Sequence, residues 1–338
     1  MLQGSDVALA RAFDVALVDL DGVAYRGAEP IDHAAASLEA ARDLGMQMVF
    51  VTNNASREPE SVADQLTSLG IPATSTDVMT AAQAAAAVLA TRLEPGSRVL
   101  VVGGAGLRTA VRAAGLVVVD TADENPDAVV QGFAPEVSWR ELAQAAYAVQ
   151  RGAWYVASNR DLTLPNEHGL APGNGALVAA VVAATGVEPV SAGKPEPTMY
   201  EMAVERSGRT RPLVVGDRLD TDLGGARAAG YPGLHVFTGV SSARDAIVAA
   251  PGERPTFLGA DLRALLVPHA APERSADGWW VCGTSAAVVR GAALELRDRG
   301  APPTTDLVRA ACAAVWDTVD GGAPFDPGSV PDLLVDEA

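Results

Sequence analysis

The chain has 338 residues, 49% of them apolar and 20% charged, with 42 Asp and Glu against 25 Lys and Arg for a net charge of −17. That length exceeds what one hydrophobic core usually supports, so two or more domains are expected, and the composition excludes a disordered chain. The acidic balance argues against nucleic acid or an anionic membrane as partner, and the two cysteines exclude a disulfide framework and point to the cytoplasm.

The first apolar run, VALVDL at 15–20, is short and β-rich, as a strand buried on both faces requires. HAAASLEAARDLG at 33–45 has helical spacing and a stopping Gly45. MQMVFVTNN at 46–54 is a second buried strand with a polar end; Ser56 is placed to cap the next helix and Gly70 to close it. Strand, helix, strand, helix predicts a parallel α/β sheet. Strands recur at RVLVVGG (98–104), AVVQGF (128–133) and WYVAS (154–158), with alanine-rich helices between them. RPLVVGDRLDTD (211–222) returns to an apolar strand that ends in aspartates, with Asp220 expected to cap a helix over 221–229. GLHVF (233–237) and PTFLGADLRALL (255–266) read as closing units. From 268 a turn-rich linker leads to one strand, WWVCG, and two expected helices at about 284–299 and 304–320.

The fold class expected is α/β. A Rossmann-like, doubly wound parallel sheet is built from 1–79 and 186–267, with an α/β insert over 80–185 and a small α+β extension at 268–338. The longest near-apolar runs, AAQAAAAVLA and GALVAAVVAATG, fall short of the roughly 18 to 20 residues of a membrane span, and the N-terminus lacks a signal-peptide pattern. VLVVGGAGLRTAVRAAGLVVVD (99–120) begins like a dinucleotide-binding unit, but Thr109 stands where the third glycine belongs, so it reads as scaffold. VVRGAALEL (288–296) is faintly similar to the cofactor loop of acetyltransferases. One strand and two helices are too little for that fold, so the extension is expected to serve packing or dimerisation. His33, His168, His235 and His269 are scattered without metal-ligand spacing, which argues against zinc.

Ligands of open parallel sheets bind outside the carboxyl ends of the strands. Three expected strands end in polar clusters: Asp19 and Asp21; Thr52, Asn53 and Asn54; and Asp217, Asp220 and Asp222. SAGKPEP (191–197) adds Lys194 ahead of a helix. Carboxylates gathered at one point raise one another's pKa unless a hard cation such as Mg2+ lies among them. Such a site suits phosphoryl transfer through a carboxylate. Lys194 would bring positive charge to the phosphate, and the Thr52 hydroxyl and loop N–H groups would donate to its oxygens. A turn at Gly22 can swing Asp21 over the leaving group, which makes Asp19 the nucleophile and Asp21 the acid/base.

These residues carry a family resemblance. DLDGV (19–23), TNN (52–54), GKP (193–195) and GDRLDTD (216–222), in that order and separated by a cap-sized insert, resemble the four motifs of the haloacid dehalogenase superfamily of phosphatases. The resemblance covers about 12–265 and is to the p-nitrophenylphosphatase/NagD-like branch with a C2-type cap. The alanine-rich acidic style and the tail look most like actinobacterial glycerol 3-phosphate phosphatases. It implies Mg2+ held by Asp19, the backbone carbonyl of Asp21, and Asp217, with Asp222 in support. It also implies phosphate contacts from Thr52, Asn53 and Lys194, and a cap that selects the leaving group. Within SNRDLTLPNEHGLAPGNGA (158–176), Asn159, Arg160, Asp161 and His168 are the cap candidates. A carboxylate substrate such as 2-phosphoglycolate would use Arg160, and a glycerol moiety the Asn and Asp. The activity expected is hydrolysis of a small phosphate ester, glycerol 3-phosphate first. A noncatalytic phospho-ligand sensor, a phosphotransferase and a homodimer through the cap or extension are the further readings.

Overall fold

Val15–Val18, the first apolar run, forms a strand with every residue buried. It pairs in parallel with Pro212–Gly216, which pairs with Gly233–Val236, and that strand with Phe257–Gly259. On its other side lies Gln47–Thr52. The chain therefore winds outward from the first strand in one direction, and its later strands return on the opposite side. Strand order reverses between Val15–Val18 and Pro212–Gly216, and a doubly wound sheet opens its ligand crevice at such a switch point.

The computed structural model describes residues 1–166, 168–297 and 304–335. Its contacts divide into two units: Met1–Val49 with Val204–Ala338, and Phe50–Ala203. The first unit holds the strands Val15–Val18, Pro212–Gly216, Gly233–Val236 and Phe257–Gly259 and also the C-terminal residues, which form a four-stranded antiparallel meander: Glu273–Arg274, Trp280–Cys282, Ser285–Arg290 and Ala293–Arg297. Here the structure corrects the sequence reading, which expected a helix over 284–299. Gly291 and Ala292 both have positive φ, 54° and 70°, between the paired residues Arg290 and Ala293. Two such residues make a hairpin turn whose twist matches the strands. Residues 298 and 299 lie outside the described residues.

The second expected helix is present as Thr305–Asp320. Val308, Ala311, Cys312, Val315 and Trp316 are buried in one core with Ile247 and Leu258 of the parallel-sheet part. The Trp316 indole donates to the Ile247 carbonyl at 3.1 Å. Arg254, itself buried, stacks 5.1 Å over the Trp316 ring and pairs with Asp320 at 2.7 Å. This helix is interior, as a helix apolar around most of its circumference must be.

The second unit carries a five-stranded sheet, in order Val190–Ser191, Trp154–Ala157, Ala128–Gln131, Arg98–Val102 and Val117–Val119, all parallel. Helices Trp139–Gln150 and Asn174–Thr185 help to enclose its core. Within the same unit, Phe50–Thr52 of the preceding strand pairs in parallel with Val78–Thr80. Thr163–Asn166 and Gly169–Pro172 form an antiparallel hairpin inside a segment that reads as polar and glycine-rich. The glycines that imitate a dinucleotide fingerprint serve packing. A Cβ on Gly104 would sit 2.8 Å from the Ser56 carbonyl oxygen, and one on Gly106 would sit 2.2 Å from that of Arg57. Among the described residues, no helix is long and apolar enough to cross a membrane.

Candidate active site

Parallel register puts Asp19 and Asp217 one residue beyond the carboxyl ends of two adjacent strands, where Val18 pairs with Val215 and the Asp19 N–H donates to the Val215 carbonyl at 2.8 Å. Asp222 returns to the same point on the turn Leu219–Leu223. Its carboxylate accepts from the Arg218 N–H at 3.1 Å, and a side chain on Gly216 would collide with it. Asp19, Asp217 and Asp222 offer carboxylate oxygens within 4.8 Å of one another. Asp19 is half-buried and the other two are fully buried. Three carboxylates this close and this dry repel strongly unless a cation lies among them. All-oxygen donors of full charge suit a hard ion such as Mg2+.

The cradle around Asp217 is tight. Cβ atoms on Gly22 and Gly239 would stand 2.5 and 1.9 Å from Asp217 Oδ2, so only glycine admits these backbones to the carboxylate. That oxygen also accepts from the Val240 N–H at 2.7 Å, and the Asp217 carbonyl accepts from the Ser241 N–H at 3.0 Å. Gly22, at φ 89°, starts the turn after the strand and closes it with an N–H bond to the Tyr25 carbonyl. Asp21 sits in this turn. It is exposed as a residue, yet enough protein surrounds its carboxyl to raise the pKa above the usual carboxylate value. The Gly27 N–H and the Arg26 charge oppose that rise. A carboxyl that holds its proton more firmly than usual is better suited to act as an acid.

In the second unit, Asn53 is a brace. Its Nδ2 donates to Asp161 Oδ2 at 3.1 Å and to the Lys194 carbonyl at 3.1 Å, and its Oδ1 accepts from the Lys194 N–H at 2.8 Å. Asn159 Nδ2 donates to the Asn53 carbonyl at 2.8 Å, and its Oδ1 accepts from the Asp161 N–H at 3.1 Å. Thr52 is buried, and its hydroxyl oxygen accepts from the Asn54 N–H at 3.1 Å. Lys194 is 4% exposed, with Nζ donating to the Val51 carbonyl at 3.4 Å.

The structure thus gathers Asp19, Asp217 and Asp222 in one unit, and Thr52, Asn53, Asn159, Asp161 and Lys194 in the other. Arg160 is turned to the surface, paired with Glu188 at 2.7 Å. His168 is exposed in the hairpin turn. Asp220 does not cap a helix, because its carboxylate takes two hydrogen bonds from the Arg218 guanidinium, at 2.7 and 3.1 Å. Ser56 is likewise no cap. The helix starts at Pro59, and the Asn54 side chain ties the Ser56 and Arg57 N–H groups instead. Sequence reasoning missed the Thr238–Ser241 loop that grips Asp217. Its available signal was Gly239 just past the end of the GLHVF strand.

Comparison with known proteins agrees with this geometry. A haloacid dehalogenase-like hydrolase family model matches residues 16–117, and a second model, HAD-hydrolase-like, matches residues 191–265. The chain is 46% identical to D-glycerol 3-phosphate phosphatase of Mycobacterium tuberculosis over 318 residues, 91% of this chain and 87% of that protein. It is 38% identical to an acid sugar phosphatase of Staphylococcus saprophyticus, over 74% of this chain and 95% of that one. Among solved structures, glycerol phosphate phosphatase from Mycobacterium tuberculosis in complex with magnesium matches with a TM-score of 0.84 at 45% identity, covering 92% of each chain. Strand-end aspartates, motif order and overall likeness agree: the chain belongs to the haloacid dehalogenase-like hydrolases.

Proposed function

We propose that the protein is a Mg2+-dependent phosphomonoesterase that hydrolyses a small phosphate ester, glycerol 3-phosphate first, through a phosphorylated Asp19. The observation that carries this reading is the carboxylate triad of half-buried Asp19 and fully buried Asp217 and Asp222 at the switch point of a parallel sheet. The relative named D-glycerol 3-phosphate phosphatase and the solved glycerol phosphate phosphatase in complex with magnesium support it.

Asp19, Asp217, Asp222 and the Asp21 carbonyl would hold the ion, which when bound supplies positive charge against the phosphate and lets three carboxylates coexist. The Asp19 carboxylate attacks phosphorus, the P–O ester bond breaks, and the departing alkoxide takes the proton from Asp21. Asp21, now ionised, removes a proton from water as that water attacks phosphorus. The bond to Asp19 then breaks and inorganic phosphate leaves. Thr52, Asn53 and Lys194 are assigned to the phosphate oxygens, Asn53 through the loops it braces. Arg160 is already paired with Glu188, which favours a neutral leaving group such as glycerol over a carboxylate such as glycolate. Residues 80–185 are assigned as the cap, with His168 as a leaving-group contact. The two free, buried cysteines support a cytoplasmic location, and a homodimer is part of the same proposal.

The test is phosphate release from a panel of small monoesters, with Mg2+ and with EDTA, for the native chain and Asp19→Asn. Mg2+-dependent release that Asp19→Asn abolishes supports the mechanism. No release from any ester by folded protein removes the phosphatase reading and leaves a phospho-ligand sensor.

A further inference from the structure

The loop after Gly233–Val236 touches both ends of the proposed machinery. The Thr238 hydroxyl donates to the Gly22 carbonyl at 2.6 Å, immediately after Asp21. The Thr238 carbonyl accepts from the Arg26 guanidinium at 2.6 Å, on the far side of the same turn. Two residues on, the Val240 N–H holds Asp217 Oδ2. The loop is anchored from below: the Ser241 hydroxyl oxygen accepts from the Leu219 N–H at 3.1 Å, and the Ser241 carbonyl accepts from His235 Nε2 at 3.1 Å.

We propose that Thr238 is a positioning residue that locks the Asp21 turn to the loop gripping Asp217, so that acid/base and ion ligand keep one spacing. The proposal rests on the phosphatase reading for the role of Asp21. A β-branched side chain suits the task, because its restricted χ1 keeps the hydroxyl aimed at one acceptor. Gly22, with its permissive backbone and φ of 89°, has no intrinsic reason to hold a single orientation. The Thr238 hydroxyl holds the Gly22 carbonyl, and Arg26 in turn holds Thr238 through its carbonyl. Shifting such outer partners of a metal centre typically lowers affinity or activity by about 10- to 100-fold.

The experiment compares Thr238→Val, Thr238→Ser and Arg26→Gln with the native chain. Mg2+ affinity is measured by calorimetry on the folded apoprotein, kcat and KM with the best ester, and folding by thermal melt. The expected result for Thr238→Val is a loss of about tenfold or more in both Mg2+ affinity and kcat, with KM little changed, and recovery of both in Thr238→Ser. Arg26→Gln should shift both in the same direction by less. A folded Thr238→Val that binds Mg2+ and turns over like the native chain overturns the proposal, as does a Thr238→Ser that restores neither. Should Thr238→Val not fold, Arg26→Gln decides, because unchanged Mg2+ affinity and kcat in it would overturn the proposal. If the native chain binds Mg2+ but hydrolyses nothing, the phosphatase reading fails by itself, and the calorimetry still decides the coupling.

Discussion

Replacing Gly239 by alanine would put a methyl carbon 1.9 Å from Asp217 Oδ2, 2.4 Å from Cγ and 2.6 Å from Cβ. Ordinary contact begins near 3.4 Å, so the loop and the carboxylate must part by about 1.5 Å. The carboxylate has little room to yield, since Asp217 is fully buried and lies against Gly22 as well. The loop must therefore move, and the 2.7 Å bond from the Val240 N–H goes with it. A displacement of about 1 Å at a reacting centre can cost about 100-fold in rate. Gly239→Ala is expected to lose about that much kcat and to bind Mg2+ at least tenfold more weakly, with a small change in melting temperature because Gly239 is exposed. Calorimetric Mg2+ titration and phosphate release measure both. A folded Gly239→Ala with native Mg2+ affinity and kcat would refute the idea that this close approach holds Asp217.

Trp316→Ala removes a fully buried indole, its bond to Ile247 and the ring under Arg254; a loss of about 3–5 kcal/mol is expected, read as one cooperative transition at lower denaturant. A separate early transition for the C-terminal residues would contradict a shared core. His235 is fully buried, and burial lowers its pKa to about 4 from the ordinary 6.5, against the opposing bond to the Ser241 carbonyl. The folded chain thus keeps it neutral while the unfolded chain protonates. Its share of stability, up to about 3 kcal/mol, is present above pH 6.5 and lost as pH falls towards 4. Denaturant melts from pH 7 to 4 in EDTA should show a flatter slope for His235→Gln than for the native chain; equal slopes would remove the assignment.

What the sequence by itself determined was local and periodic. The buried strands VALV, MVFV, VLVV and LVVG are apolar runs too short for helices, and each appears at its expected place. The aspartates that follow two of them mark strand ends, and parallel pairing then makes their meeting almost obligatory. Tertiary structure decided whatever depends on distant partners. The alanine- and leucine-rich stretch around 285–297 has good helix formers, yet it is a hairpin because the Gly291–Ala292 turn and the Thr305–Asp320 helix reward pairing over local propensity. Asn53, a residue of the second motif, proved to be a brace whose contacts lie 108 and 141 positions away along the chain. The Thr238–Ser241 grip on Asp217 and Gly22 was invisible for the same reason. Periodicity reports which face of an element is buried, whereas a hydrogen bond to a carbonyl more than 200 residues away leaves no spacing to read.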